Sequence, residues 1–81
     1  MTSFSITPTF EKQFDKMDKR LQQLVLKKMD KVVRQPELGK PLHKPMQNRF
    51  GERVEKLRII YTFAENHVTF LYFDHRDRVY N

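Results

Sequence analysis

Two stretches decide the fold: Arg53-Val-Glu-Lys-Leu-Arg-Ile-Ile-Tyr-Thr-Phe63 and His67-Val-Thr-Phe-Leu-Tyr-Phe-Asp-His-Arg-Asp-Arg-Val-Tyr80. Both are rich in β-branched and aromatic residues, and only Ala64-Glu65-Asn66 stands between them. Two such runs across a short polar turn read as a strand pair. Arg58 sits inside the first run, where an apolar residue would be the default. A charge there must meet water, a partner or a ligand, because an unpaired buried charge is costly. The second run ends in a cluster of His75, Arg76, Arg78 and Tyr80. Strand ends are held rigidly by the sheet, which makes them good mounts for polar groups.

Upstream, Phe4-Ser-Ile6 alternates and reads as a short first strand. Thr7-Pro8 is a helix start, with Thr as the cap and Pro at the first helical position, where its missing N–H costs nothing. Apolar residues then recur at Phe10, Phe14, Met17, Leu21, Leu24, Val25, Met29, Val32 and Val33, at helical spacings of three and four. Pro36 ends the pattern. One continuous helix from Pro8 to Arg34 would be about 40 Å long, whereas a domain of this size has a diameter of roughly 30 Å. A break near Met17-Asp18 is therefore expected, with Asp18 capping a second helix. Gly39 to Gly51 reads as loop. A strand near Glu52–Leu57 is expected to turn at Glu55-Lys56 into the strand Leu57–Phe63. The predicted order is β-α-α-β-β-β, an α+β fold in one domain spanning 1–81, with a helical hairpin on one face of a mainly antiparallel sheet. Phe4, Phe10, Phe14, Phe63, Phe70 and Phe73 are the expected core aromatics.

The 81 residues contain no cysteine, so no disulfide and no thiolate nucleophile is available. No signal-peptide pattern or membrane-length apolar run is evident, and the reading is a soluble, cytoplasmic protein without membrane attachment. Sixteen Lys and Arg against ten Asp and Glu give a net charge of +6, which favours anionic partners. From Lys40 to Arg58 there are six basic residues and two acidic ones. Arginine is prominent there, and its planar fork matches phosphate. Lys12, Lys16, Lys19, Arg20, Lys27, Lys28 and Lys31, interspersed with Glu11, Asp15, Asp18 and Asp30, read as the solvated face of the helices. His43 and His67 have no second ligand at zinc-like spacing, so no metal site and no small-molecule cofactor are expected. There is no Gly-rich phosphate loop and no Gly-x-Ser-x-Gly turn.

The order of these elements, the helix exit Pro36-Glu-Leu-Gly-Lys-Pro-Leu42, the strand Leu57-Arg-Ile-Ile-Tyr61 and the ending His75-Arg-Asp-Arg-Val-Tyr80 together resemble the RelE/ParE superfamily of type II toxin–antitoxin toxins. RelE-type members are endonucleases that cut mRNA in the ribosomal A site, through attack of a ribose 2′-hydroxyl on the adjacent phosphate. ParE-type members share the fold but inhibit DNA gyrase, so the fold alone does not fix the activity. The resemblance implies a cognate antitoxin as partner, with ribosome and mRNA as targets. It matches Arg58, Arg76 and Tyr80 to RelE-type catalytic positions and Arg53 to a basic position on the preceding strand. His75 falls where relatives carry Lys or His.

Arginine keeps its proton in proteins, so Arg58 and Arg76 suit phosphate binding and transition-state stabilisation better than base catalysis. The alternative is that they pair with Asp74, Asp77 or Glu52 on the sheet surface. Imidazole is the side chain suited to proton transfer near neutral pH, so His75 is the natural general acid or base; its alternative is a structural hydrogen bond. Tyr80 could stack on a base or cap the core. Arg49, Arg53, Lys56 and Arg78 are the expected RNA contacts. Three further readings stay open: a gyrase inhibitor, a catalytically silent protein-binding member of the fold, and a small basic RNA-binding domain.

Overall fold

The computed structural model describes residues 2–36, 40–41 and 49–75. The elements are β1 (Ser3–Ile6), α1 (Pro8–Asp15), α2 (Lys19–Arg34), β2 (Lys40–Pro41), β3 (Arg49–Val54), β4 (Leu57–Ala64) and β5 (His67–His75). They form one sheet of order β1-β5-β4-β3-β2, antiparallel throughout except for the β1–β5 pair. The helices lie on one face. The predicted fold class holds.

Both helix starts follow the side-chain logic of the sequence. The Thr7 hydroxyl accepts the Phe10 N–H at 3.1 Å, and Pro8 occupies the first turn. Asp18 caps α2 by accepting the Leu21 N–H at 2.8 Å, so the helical pattern breaks into a hairpin where expected. The length argument explains the break, since the longest dimension of the molecule is 32 Å.

The boundaries of the third strand differ from expectation. β3 covers Arg49–Val54 and not Glu52–Leu57, and part of the stretch read as loop is sheet, because Lys40 and Pro41 pair with Gly51 and Phe50. Charged residues and glycine in Arg49-Phe-Gly-Glu-Arg mask the strand signal, and pairing with β4 supplies what propensity lacks.

The core lies between the helices and the sheet. Phe10, Val25 and Val32 meet Val54, Ile59, Tyr61, Val68, Phe70 and Phe73, all nearly free of solvent. The Phe10 ring stacks on Phe73 at 4.3 Å between centroids. Burying a side chain of this size contributes roughly 1.5–3 kcal/mol, so Phe10→Ala alone removes much of a small domain's stability. The Tyr61 hydroxyl donates to the Pro36 carbonyl at 2.9 Å, which satisfies the one polar atom of a fully buried ring. Two aromatic expectations change. Phe4 is 53% exposed, because β1 is an edge strand beyond the reach of the helices, and touches the core only edge-on through Phe70. Phe50, read as loop, stacks on Tyr61 and joins the core.

A register shift between Ile60 and Tyr61 leaves Leu71 as an extra residue in β5. Such a bulge re-aims every side chain beyond it. The Thr7 hydroxyl donates to the Leu71 carbonyl and its N–H to the Phe70 carbonyl, so the start of α1 holds the bulge in place.

Candidate nucleic-acid interface

Cross-strand neighbours share a face of a sheet. The core face carries the rows Val54–Leu57–His75, Glu52–Ile59–Phe73 and Phe50–Tyr61–Phe70. The far face, away from the helices, carries Arg53–Arg58–Asp74, then Gly51–Ile60–Tyr72, then Arg49–Thr62–Thr69. Ile59 belongs to the helix-side cluster whereas Ile60, equally buried, does not, in keeping with opposite faces.

Arg58 is therefore half-buried on the far face, between Arg53 on one side and Asp74 on the other. Among the described residues no ion pair engages Arg49, Arg53 or Arg58. One of the alternative pairings for Arg58 is ruled out by the register. Glu52 points to the helices, where its Oε1 lies 3.4 Å from both the Lys28 and the Lys31 ammonium.

Like charges on adjacent strands oppose stability. The Arg53–Arg58 pair is therefore not explained by folding and is a candidate for binding an anion. Tyr72 stands one row away from Arg58, and sequence alternation conceals it. Counting by two from Phe70 puts Tyr72 in the core and Phe73 outside, but the bulge at Leu71 reverses both. Phe73 is buried and Tyr72 is brought to the far face, where a ring beside an arginine can stack on a nucleobase.

His75 is not brought together with Arg58. It pairs with Leu57 and lines a cavity at the end of the hairpin with Gln13, Lys16, Met17 and Leu21. At this register the His75 and Arg58 side chains leave the sheet in opposite directions. Lys56 lines the same cavity. Arg53 is exposed at the sheet edge and also lines a groove beside α2. Arg76, Arg78 and Tyr80 lie outside the described residues. His67 holds Ser3 Oγ at 2.7 Å and Ser5 Oγ at 2.9 Å through its two ring nitrogens, so it ties β1 to β5. Among the described residues no group of three or more His, Cys, Asp and Glu could hold a metal ion, and no helix is long and apolar enough to cross a membrane.

The turn between β3 and β4 is fastened to α2. The Arg20 guanidinium forks onto Glu55, at N–O distances of 2.5 and 3.2 Å. Glu55 sits at φ 54°, in the left-handed region that a glutamate seldom adopts. That hydrogen bond, with the charge behind it, holds the Glu55 carboxyl below its ordinary value, against a smaller opposing effect of desolvation.

A model of the ParE toxin family of type II toxin–antitoxin systems matches residues 4–80. The toxin RelE4 of Methanocaldococcus jannaschii is 29% identical over 86 residues, covering 99% of this chain and 92% of that protein. Among solved structures, the RelBE2 toxin–antitoxin complex of Mycobacterium tuberculosis contains a chain that superposes with a TM-score of 0.81 at 25% identity, covering 93% of this chain and 98% of that one. The isolated RelE toxin of Escherichia coli superposes at 0.79 with 15% identity, over 99% and 92% of the two chains, a likeness of fold. The chain thus belongs to the ParE toxin family, within the RelE/ParE superfamily, and is a toxin of a type II toxin–antitoxin system built on the RelE fold.

Proposed function

We propose that this toxin is an endonuclease that cuts messenger RNA on the ribosome, without a metal ion, and is neutralised by a cognate antitoxin. The observation that carries the reading is the far-face row in which Arg58 lies beside Arg53 with no ion pair among the described residues. In the proposed reaction a ribose 2′-oxygen forms a bond to the adjacent phosphorus and the bond to the 5′-oxygen breaks. The 2′-hydroxyl proton leaves to a base, and the 5′-oxygen takes a proton from an acid. Negative charge gathers on the phosphate oxygens in between. Arg58 is assigned to that charge, since a fixed guanidinium in a partly desolvated place stabilises it without reorganisation. Arg76 and Tyr80 follow β5 directly and are assigned to the same phosphate and to the nucleotide. Arg49, Arg53 and Arg78 are assigned to the RNA backbone, and Tyr72 to stacking on a base. His75, facing the hairpin cavity, is assigned no contact with the phosphate. The cytoplasm, where ribosomes and message are found, is the proposed site of action.

The test is induced expression with two separate readouts, primer extension on mRNA and the supercoiling of a reporter plasmid. Cleavage within translated codons and unchanged supercoiling are expected, and intact message would refute the reading. A second reading, inhibition of DNA gyrase, is favoured by one observation: the matching family description is that of ParE toxins. Relaxed plasmid with intact message would establish it in place of the first.

A further inference from the structure

Outside the far-face row, a further concentration of positive charge among the described residues lies in a groove between α2 and the edge of β3. Lys27, Lys28, Lys31 and Arg53 line it above Leu24 and Val54, with Glu55 as the one acidic residue of the described lining. β2 pairs only with Phe50 and Gly51, so from Glu52 onwards β3 is an edge among the described residues. Arg53 sits on that edge. Its register neighbour is Arg58 on the far face, yet its side chain also lines the helix-side groove. The cations consequently run as a track from α2 around the β3 edge to Arg58.

The charge along this track is not balanced. At one end Arg20 is held by Glu55, and at the other Arg34 is held by Asp30 at 3.1 Å. Between them stand Lys27, Lys28, Lys31 and Arg53; Glu55 lines the same groove but is taken up by Arg20, and the carboxylate that engages the lysines is Glu52. Its side chain is only 13% exposed and is shared by Lys28 and Lys31, so it sets the height of two ammonium groups without cancelling both. The apolar floor offers little to a protein partner. Val54 is 3% exposed and Leu24 is half-buried, so apart from the Glu55 carboxylate, which Arg20 holds, what the groove presents to solvent is ammonium and guanidinium. An extended chain of anions fits this better than an amphipathic peptide does.

We infer that the α2–β3 groove is a second phosphate-binding surface, which holds the backbone of the substrate RNA away from the point of cleavage. This rests on the reading of the chain as an RNA-cutting toxin and adds where the rest of the strand runs. The test is the anisotropy of a labelled 2′-O-methyl RNA oligonucleotide titrated with antitoxin-free toxin across a KCl series. The probe cannot be cut, so binding and cleavage are read independently and either can fail alone. Lys27→Gln/Lys28→Gln/Lys31→Gln should lower the slope of log K against log [KCl] by about 2, at about 0.7 for each phosphate no longer neutralised. It should also weaken binding at low salt by roughly 10–100-fold. Adding Glu52→Gln to these removes the carboxylate stranded without its lysines, and must give the same weakening. Lys12→Gln/Lys16→Gln/Lys19→Gln, with the same change in net charge elsewhere, should leave most of the slope. An unchanged slope in the groove variants, or an equal fall in the control, would overturn the inference. So would retained oligonucleotide binding with reduced affinity for ribosomes or for the antitoxin, either of which would assign the groove to that partner.

Discussion

The side chain of Gln13 pairs with the backbone of Phe73 as a neighbouring strand would: its Nε2 donates to the Phe73 carbonyl at 3.1 Å, and its Oε1 accepts the Phe73 N–H at 2.8 Å. β1 ends at Ile6 opposite Phe70, so the outer edge of β5 beyond that point has no strand neighbour among the described residues. Thr7 takes the carbonyls of Phe70 and Leu71, and Gln13 takes Phe73. A helix thus completes the edge of the sheet, and it does so immediately before Asp74, His75 and the residues proposed to meet the nucleotide.

Gln13→Ala should therefore act on both stability and activity. It leaves a partly buried N–H and carbonyl unpaired, which costs on the order of 1–3 kcal/mol. Urea unfolding should show that loss, and cleavage per folded molecule should fall because the end of β5 is no longer fixed. Gln13→Glu keeps the acceptor and loses the donor, and should lie between. Full stability in the alanine variant would mean the stitch contributes nothing.

Arg58→Ala should separate chemistry from folding. Removing one of two opposed arginines relieves repulsion, so stability should stay within about 0.5 kcal/mol of the parent or rise. Cleavage on programmed ribosomes should fall by about 10²–10³-fold, the usual loss when a transition-state donor is deleted. Arg58→Lys retains the charge without the fork and should recover only part. Single-turnover rates decide this, and an unfolded or fully active alanine variant would remove Arg58 from the site.

Much of the architecture is legible in the sequence because it depends on local chemistry. Thr7-Pro8 and Asp18 announce their helices through side chains that satisfy the first N–H groups, and the length of a continuous helix forbids it. The hairpin of β4 and β5 shows in its β-branched runs, and its turn is Glu65-Asn66, both at positive φ. What stays hidden depends on pairing. Arg49-Phe-Gly becomes strand only because Thr62, Tyr61 and Ile60 lie beside it. Tyr72 exchanges faces with Phe73 through one extra residue at Leu71, which no period of two can reveal. Arg58 stands out as a charge inside an apolar run, but that Glu52 faces away from it requires the register. His75 stands out by its chemistry, and the register places it on the opposite face.

The Arg20–Glu55 bridge carries a pH signature. The folded-state pKa of Glu55 is depressed below its ordinary 4.5. A depressed carboxylate contributes stability that is present above the unfolded pKa and lost as pH falls through the folded one. The matching rise for Arg20 lies outside any working range. Both partners are exposed, so the effect is modest and screened by salt. Glu55→Gln should thus melt slightly lower than the parent at neutral pH and low salt. The gap should close below about pH 4 and at high salt. A gap that persisted in acid would show that the charge of Glu55 is not its source.

The last prediction concerns His75. Leu57, its neighbour in β4, packs on the helix-side core, and the imidazole lines the hairpin cavity with Lys16 and Met17. Arg58 leaves the adjacent position on the other face. An imidazole in that place has no short route to the phosphate proposed to bind at Arg58, so His75→Ala should reduce cleavage far less than Arg58→Ala, by about 10-fold or less. General acid–base catalysis by a positioned side chain contributes about 10²–10⁴-fold, which sets the scale for the opposite result. The second readout is the pH–rate profile on programmed ribosomes, which should keep its shape when His75 is removed. If the variant instead lost activity to the same extent as Arg58→Ala and flattened the profile, His75 would be the proton donor or acceptor. The end of β5 would then have to turn its last side chain to the far face when RNA binds, and Gln13→Ala, which frees that end, should alter the same profile.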